Sequence, residues 1–292
     1  MKRRKYSLAN ENFTTAIYFD NEYYTLSSFE LESIDGNISS YAGAGQAGTT
    51  ITNRQYGSRD ATITGYVLAD DEDSMRARKS QLQKLTAPTS DFHIIINGKY
   101  KMRLTAKASI EYKSEHYVHN EYLTLFTIEA VAANPFFEPM NEVDAELSGW
   151  IKDFHFPFHN PIGERFTFGH KAPSKIIELE NKGEVETGMV ITFTAINGTV
   201  KNPALQNIDT QEKLEISKVL QSGESIEIST TYGNKYVRNA DTKENWLKYL
   251  SVQSDFLQMP IGVSNFKYSY DEDASTGTLK CVCRYTPKLF EV

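Results

Sequence analysis

The chain has 292 residues, with 31 basic and 38 acidic side chains and a formal charge of −7; this balance argues against a dedicated nucleic-acid binder, whose phosphate contacts need clustered Lys and Arg. The length favours two domains of about 140 residues, each able to build its own core. Its two cysteines form no disulfide framework and fit a reducing compartment, and no run approaches the ~18 uncharged apolar residues of a membrane-spanning helix.

In chain order, the basic Lys2 to Lys5 reads as a solvated tail. The opening has the charged start of a signal peptide but no apolar stretch after it, so export by that route is not expected. Asp20-Asn21 between YF and YYTL is a first hairpin signal. GAGQAG at 43–48 matches the glycine fingerprint of dinucleotide sites. The β-branched TTIT that follows is unsuited to the helix such a site requires, so a flexible glycine-rich loop or arm is expected. Asp70 to Leu85 predicts the one helix. Acidic residues open it, basic ones follow, Met75, Arg78, Leu82 and Leu85 lie along one side, and Pro88 stops it. Its narrow apolar stripe must dock, either on a sheet or on a partner.

Asn97-Gly98 predicts a hairpin, since both residues tolerate the positive φ of a type I′ turn. Tyr122 to Val131 alternates with period two and is apolar on both faces, as an interior strand would be. Pro135 and Pro139 lack an amide hydrogen, so the strand must stop at about Asn134 and the chain must turn there. Phe136 and Phe137, held on this irregular segment, mark a domain boundary. Further hairpin signals stand at Asn197-Gly198 and Gly233-Asn234. The whole reads as mostly antiparallel β-structure.

Chemistry-bearing candidates give way to simpler readings. His116 and His119 sit between strands with no third ligand, and Pro157 breaks the helix that would unite His155 with His159. Cys281 and Cys283 point the same way in one strand, as half-buried side chains without a partner pair. The acidic run at 70–73 reads as a helix cap and that at 271–273 as a turn. Neither catalytic nor metal residues stand out, no cofactor is implied, and no enzyme is expected.

Several stretches together resemble the distal tail protein (Dit) family of long-tailed bacteriophages. In the first half these are SIDGNIS (33–39), the glycine-rich loop, YGSRDATITGYV (56–67), the helix with Arg76, Arg78 and Leu82, and the strand into AANPFFEP. In the second they are NKGEVETGMVITFTA (181–195), KNPALQNIDTQEKLEI (201–216), LQSGESIEISTTYGNKYV (220–237) and residues 260–265. The resemblance implies an all-β fold with one helix. Residues 1–140 would be a ring-forming β-sandwich or split barrel, and 141–292 a galectin-like, carbohydrate-module-like β-sandwich.

By the same resemblance six copies would form a ring at the tail tip of a phage or prophage, joining the tail-tube protein to a lysin-like tail-tip hub and to receptor-binding proteins. DNA would pass its channel without specific binding, and assembly would take place in the host cytoplasm. Met75, Arg78, Leu82, Leu85, Tyr56 and Arg59 become candidates for the ring interface, and Asn134, Pro135, Phe136 and Phe137 for the domain junction. The rival reading is an adhesin whose second domain stacks exposed aromatic rings on host cell-wall glycan.

Overall fold

The computed structural model describes residues 4–20, 22–113, 123–146, 149–151, 170–172 and 176–292. His116, His119, His155, Pro157 and His159 lie outside these residues, as does Asn21 of the first turn signal. Among the described residues the fold is all-β with one α-helix, and the chain divides into two units: Met1–Met140 together with Leu289–Val292, and Asn141–Lys288. The last four residues therefore group with the first unit, whereas the sequence reading carried the second domain to 292.

The first unit runs β1 (Tyr6–Asn10), β2 (Ala16–Tyr18), β3 (Tyr24–Leu31), β4 (Gly36–Tyr41), β5 (Thr50–Tyr56), β6 (Arg59–Leu68), α1 (Glu72–Leu85), β7 (Asp91–Ile96), β8 (Tyr100–Ala106), β9 (Glu111–Lys113), β10 (Leu123–Ala132) and β11 (Glu138–Pro139). An open antiparallel sheet follows the order β2-β1-β7-β8-β10-β6-β3, with β9 on β10 and β11 on β8. The strand expected to be interior is β10, zipped to β6 over its whole length. One of its faces, Thr124, Phe126, Ile128, Ala130 and Ala132, is buried, while the other is half-exposed and carries the exposed Glu129. The strand ends at Ala132, just before the Asn134 limit that Pro135 imposes.

Gly65 in the middle of β6 is required by a close approach. A Cβ there would lie 2.3 Å from the Thr25 carbonyl oxygen and 2.7 Å from the Phe126 ring, so only glycine lets the strands pair while Phe126 fills the core.

The helix begins at Glu72. Asp71 caps it, accepting the Ser74 amide at 2.7 Å, and hydrogen bonds from Ser74 hold its carboxyl below the usual carboxylate range. Met75, Leu82 and Leu85 are buried in this unit's own core with Ile63, Phe92 and Phe126. Of the two alternatives, then, the stripe docks on the sheet. On the opposite side, His93 is buried under Phe13, with ring centroids 4.6 Å apart. Burial first, and then the neighbouring Lys101 charge, pushes its pKa below the ordinary histidine value.

The second unit runs β12 (Val143–Glu146), β13 (Gly149–Ile151), β14 (His170–Ala172), β15 (Ile176–Asn181), β16 (Thr187–Ile196), β17 (Val200–Lys201), β18 (Ala204–Asn207), β19 (Lys213–Glu215), β20 (Val219–Leu220), β21 (Ser225–Ser229), β22 (Tyr236–Asn239), β23 (Gln258–Met259), β24 (Gly262–Ser269) and β25 (Thr278–Tyr285). Two sheets, β12-β25-β16-β21-β22 and β15-β24-β18-β19, contribute to one core. The first supplies Ile191, Phe193, Ile226 and Ile228, the second Leu179, Leu205, Leu214 and Phe266. This is a β-sandwich built from period-two alternation on facing strands. Cys281 and Cys283 do point the same way, but they are fully buried in this core rather than half-buried, and burial raises the Cys281 thiol pKa.

Two of the four turn signals do join paired strands. Asn97 and Gly98, both at positive φ, connect β7 to β8, and Gly233 lies between the paired β21 and β22. The other two do not. β2 pairs with β1 while β3 pairs with β6, at opposite edges of the sheet. Asn197 and Gly198 do take positive φ, but β16 pairs with β21 and β25, and β17 pairs with β20. Turn chemistry specifies local backbone reversal, and the partner of each strand is set by distant residues.

Candidate assembly site

Between β3 and β6 the chain leaves the first sheet as a two-stranded arm. β4 and β5 pair only with each other, and every residue of both strands is exposed. The glycine-rich loop forms the tip, with Gly45 and Gly48 at positive φ, and the strand that follows it rules out the helix a dinucleotide site needs. Ile38, Tyr41, Ile51 and Tyr56 are 62, 60, 43 and 57 % exposed. The register places Ile38 opposite Arg54, Ser40 opposite Ile51 and Gly36 opposite Tyr56, so Ile38, Ile51 and Tyr56 share one face. An isolated hairpin is marginal in water, and this one leaves much of its apolar side-chain surface exposed.

The root of the arm is well tied. The Gly57 amide donates to the Asp35 carbonyl at 2.7 Å, and the Glu32 amide to the Asp60 carbonyl at 2.9 Å. Arg59, only 7 % exposed, donates from Nε to the Glu32 carbonyl at 2.7 Å and from Nη1 to the Phe290 carbonyl at 3.0 Å and the Pro135 carbonyl at 3.5 Å. Burial lowers its pKa, and Glu291 acts in the opposite direction; an arginine stays charged regardless. Above it, the rings of Tyr56, Phe136 and Phe290 meet edge to face at 5.2, 5.7 and 5.5 Å. Phe137 and Leu289 exchange two backbone hydrogen bonds of 2.8 and 2.9 Å.

The six residues expected at a ring interface therefore separate. Met75, Leu82 and Leu85 are enclosed in the core and cannot meet another copy from there. Arg78 is half-buried, bonded to the Leu68 carbonyl with its guanidinium 4.0 Å over the Tyr23 ring. Arg59 is the buried root, and Tyr56 alone is open to a partner. At the proposed junction, Pro135, Phe136 and Phe137 are buried, and Asn134 donates to Glu138 at 2.8 Å. The sequence reading missed Ile38, Tyr41 and Ile51, although ISSY and TTIT flanking a glycine-rich loop carried a detectable hairpin signal. It also missed Leu289–Val292, for which no local signal exists.

Among the described residues no group of three or more His, Cys, Asp or Glu could hold a metal ion, and no helix is long and apolar enough to cross a membrane. Of the aromatics in the second unit, Phe266 and Tyr268 are core and cannot stack on a sugar. Tyr236 lies on the outer face of its sheet and donates to Glu227 at 2.9 Å. Burial would raise the Glu227 pKa, but the bonds from Arg238 and Tyr236 outweigh it and leave the carboxyl below its usual range.

Residues 19–131 match the family model described as phage tail protein RIFT-related domain, and residues 182–288 that described as siphovirus-type tail component, C-terminal domain. No curated protein matches the sequence significantly. Among solved structures, the Dit (gp 19.1) protein of phage SPP1, described as a paradigm of the hub adsorption apparatus in Gram-positive infecting phages, aligns with a TM-score of 0.65 at 13 % identity, over 97 % of this chain and 98 % of that one. A chain of the phage P2 baseplate in its activated conformation with Ca aligns at 0.54 and 10 % identity, over 100 % of both chains. These likenesses establish the shared fold. The matched families are structural tail components rather than enzymes, and with both halves of the chain accounted for in their order, this chain belongs to the distal tail protein family of siphophages, structural proteins of the tail tip.

Proposed function

We propose that six copies of this chain close into a ring through their first units, leaving a channel for DNA, and that the ring joins the tail tube to the hub and the receptor-binding apparatus. The arm is the observation that carries this reading. Its two strands expose three large apolar side chains on one face, Ile38, Ile51 and Tyr56, of which Tyr56 also meets Phe136 and Phe290 at the root. A projecting element that meets a different surface on the next copy makes a heterologous contact, and such contacts close into rings. The second unit, a galectin-like sandwich in this reading, takes the outward position and binds neighbouring tail-tip proteins. A net negative chain suits a channel through which DNA slides without being held.

Native mass spectrometry over a wide concentration range tests the ring. A hexamer is expected for the unaltered chain, and charge on the arm, as in Ile38→Asp with Ile51→Asp, abolishes it while both units stay folded. A hexamer that survives those substitutions removes the arm from the interface. A chain that stays monomeric at every concentration removes the self-assembling ring.

A further inference from the structure

We infer that Leu289–Val292 is a strap that sets the direction of the arm, with Arg59 as the positioning residue that buckles arm root and strap together. Three segments far apart in sequence converge on one guanidinium. They are the exit of β3 through the Glu32 carbonyl, the entry to the second unit through the Pro135 carbonyl, and the returning chain through the Phe290 carbonyl. Arg59 itself opens β6, three residues after the arm's last residue, Tyr56. The planar fork is what lets one side chain serve three carbonyls at once.

The strap is no loose end. Leu289 is bonded in both directions to Phe137, and Leu289 and Val292 pack against the first core. The Phe290 ring then presents its surface to Tyr56, the arm residue nearest the root. Hydrogen bonds at the root fix where the arm starts, but a two-stranded ribbon can still swing about its two connections. The ring contact of Tyr56 with Phe290 and Phe136 is the side-on restraint that removes this freedom. In sequence the second unit, Asn141–Lys288, lies between Pro135 and Phe290, two of the three residues whose carbonyls Arg59 holds. The use of the aligned arm for meeting another copy rests on the ring reading above, whereas its alignment by the strap does not.

Spin-label distances within one copy test the strap. Ser40 on β4 and Gln83 on α1 are exposed, and the native Cys281 and Cys283 are fully buried, so labels react at Ser40→Cys and Gln83→Cys in the full chain. Diluting labelled protein with unlabelled protein removes distances between copies. A single narrow distance distribution is expected for the parent, at least about twofold broader with Tyr56→Ser or Phe290→Ser and restored by Phe290→Tyr. Tyr56 is exposed, so its replacement leaves the core intact and decides the matter even if Phe290→Ser fails to fold. A Tyr56→Ser chain with the parental melting temperature and the parental distance width overturns the strap, as does a broad distribution in the parent itself. Loss of the hexamer reading by mass spectrometry would leave this distance result standing.

Discussion

Leu82 offers the sharpest test of where the helix belongs. Its side chain is fully buried between α1 and the first sheet. Leu82→Ala removes three carbons from that space, about 2.4 kcal/mol of transfer free energy at ~0.8 per methylene. The cavity left behind adds to this, because helix and sheet are held by their own hydrogen bonds and close on it only in part. The total expected is about 3–4 kcal/mol, within the range for buried leucine truncation. Urea unfolding followed by the tryptophan-independent far-UV signal, together with a calorimetric scan, would resolve the first unit's transition, which should fall on the order of 10 °C. Ile38→Ser on the arm is the control. It should change stability by no more than about 0.5 kcal/mol, yet weaken assembly in native mass spectrometry. If instead Leu82→Ala unfolds within about 1 kcal/mol of the parent and abolishes assembly, the helix is a contact between copies and its placement in the core is wrong.

Arg59→Lys keeps the charge but loses the fork, leaving at least one of its three carbonyl partners, two of them part-buried, without that donor; a loss of about 1–2 kcal/mol in the first unit's unfolding is expected. Gly65→Ala drives a methyl into the Thr25 carbonyl and the Phe126 ring and should cost roughly 2–3 kcal/mol by the same measurement. His93 has a folded pKa depressed below its unfolded value of about 6.5. The unfolded state therefore binds the proton more readily, and the stability His93 contributes is complete above pH ~6.5 and declines as pH falls from there towards the folded pKa. Unfolding curves between pH 8 and pH 5 should record that decline, and His93→Gln should flatten it. For the second unit, a fragment spanning residues 141–288 should give a cooperative melt alone. One starting at residue 147 lacks β12, which pairs with β25 from Val143↔Tyr285 to Glu146↔Val282, and should melt lower or not fold.

How much of this was legible beforehand follows from the range of the forces involved. Period-two alternation, the Asp70-to-Leu85 amphipathic run and the prolines at 135 and 139 act within a few residues. Strand β10, helix α1 and the chain break after Ala132 could therefore be read directly from sequence. The same locality explains the failures. An Asn-Gly pair dictates backbone reversal and nothing about partners, so Asn197-Gly198 turns the chain without making β16 and β17 a hairpin. An apolar stripe on a helix demands burial without naming the surface, so Met75, Leu82 and Leu85 could have met another copy as readily as their own sheet. A glycine-rich loop or arm was expected at 43–48, but its flanking strands were not, because whether their residues are covered depends on what other strands do.

Neighbouring residues set the elements and their faces, since propensity, alternation and capping act over a few positions. Distant contacts alone put the helix stripe in the core, left Ile38, Ile51 and Tyr56 largely exposed, and brought Leu289–Val292 to Arg59. Those outcomes depend on contacts between residues up to 231 positions apart, and no local pattern encodes which distant carbonyl a buried guanidinium will find.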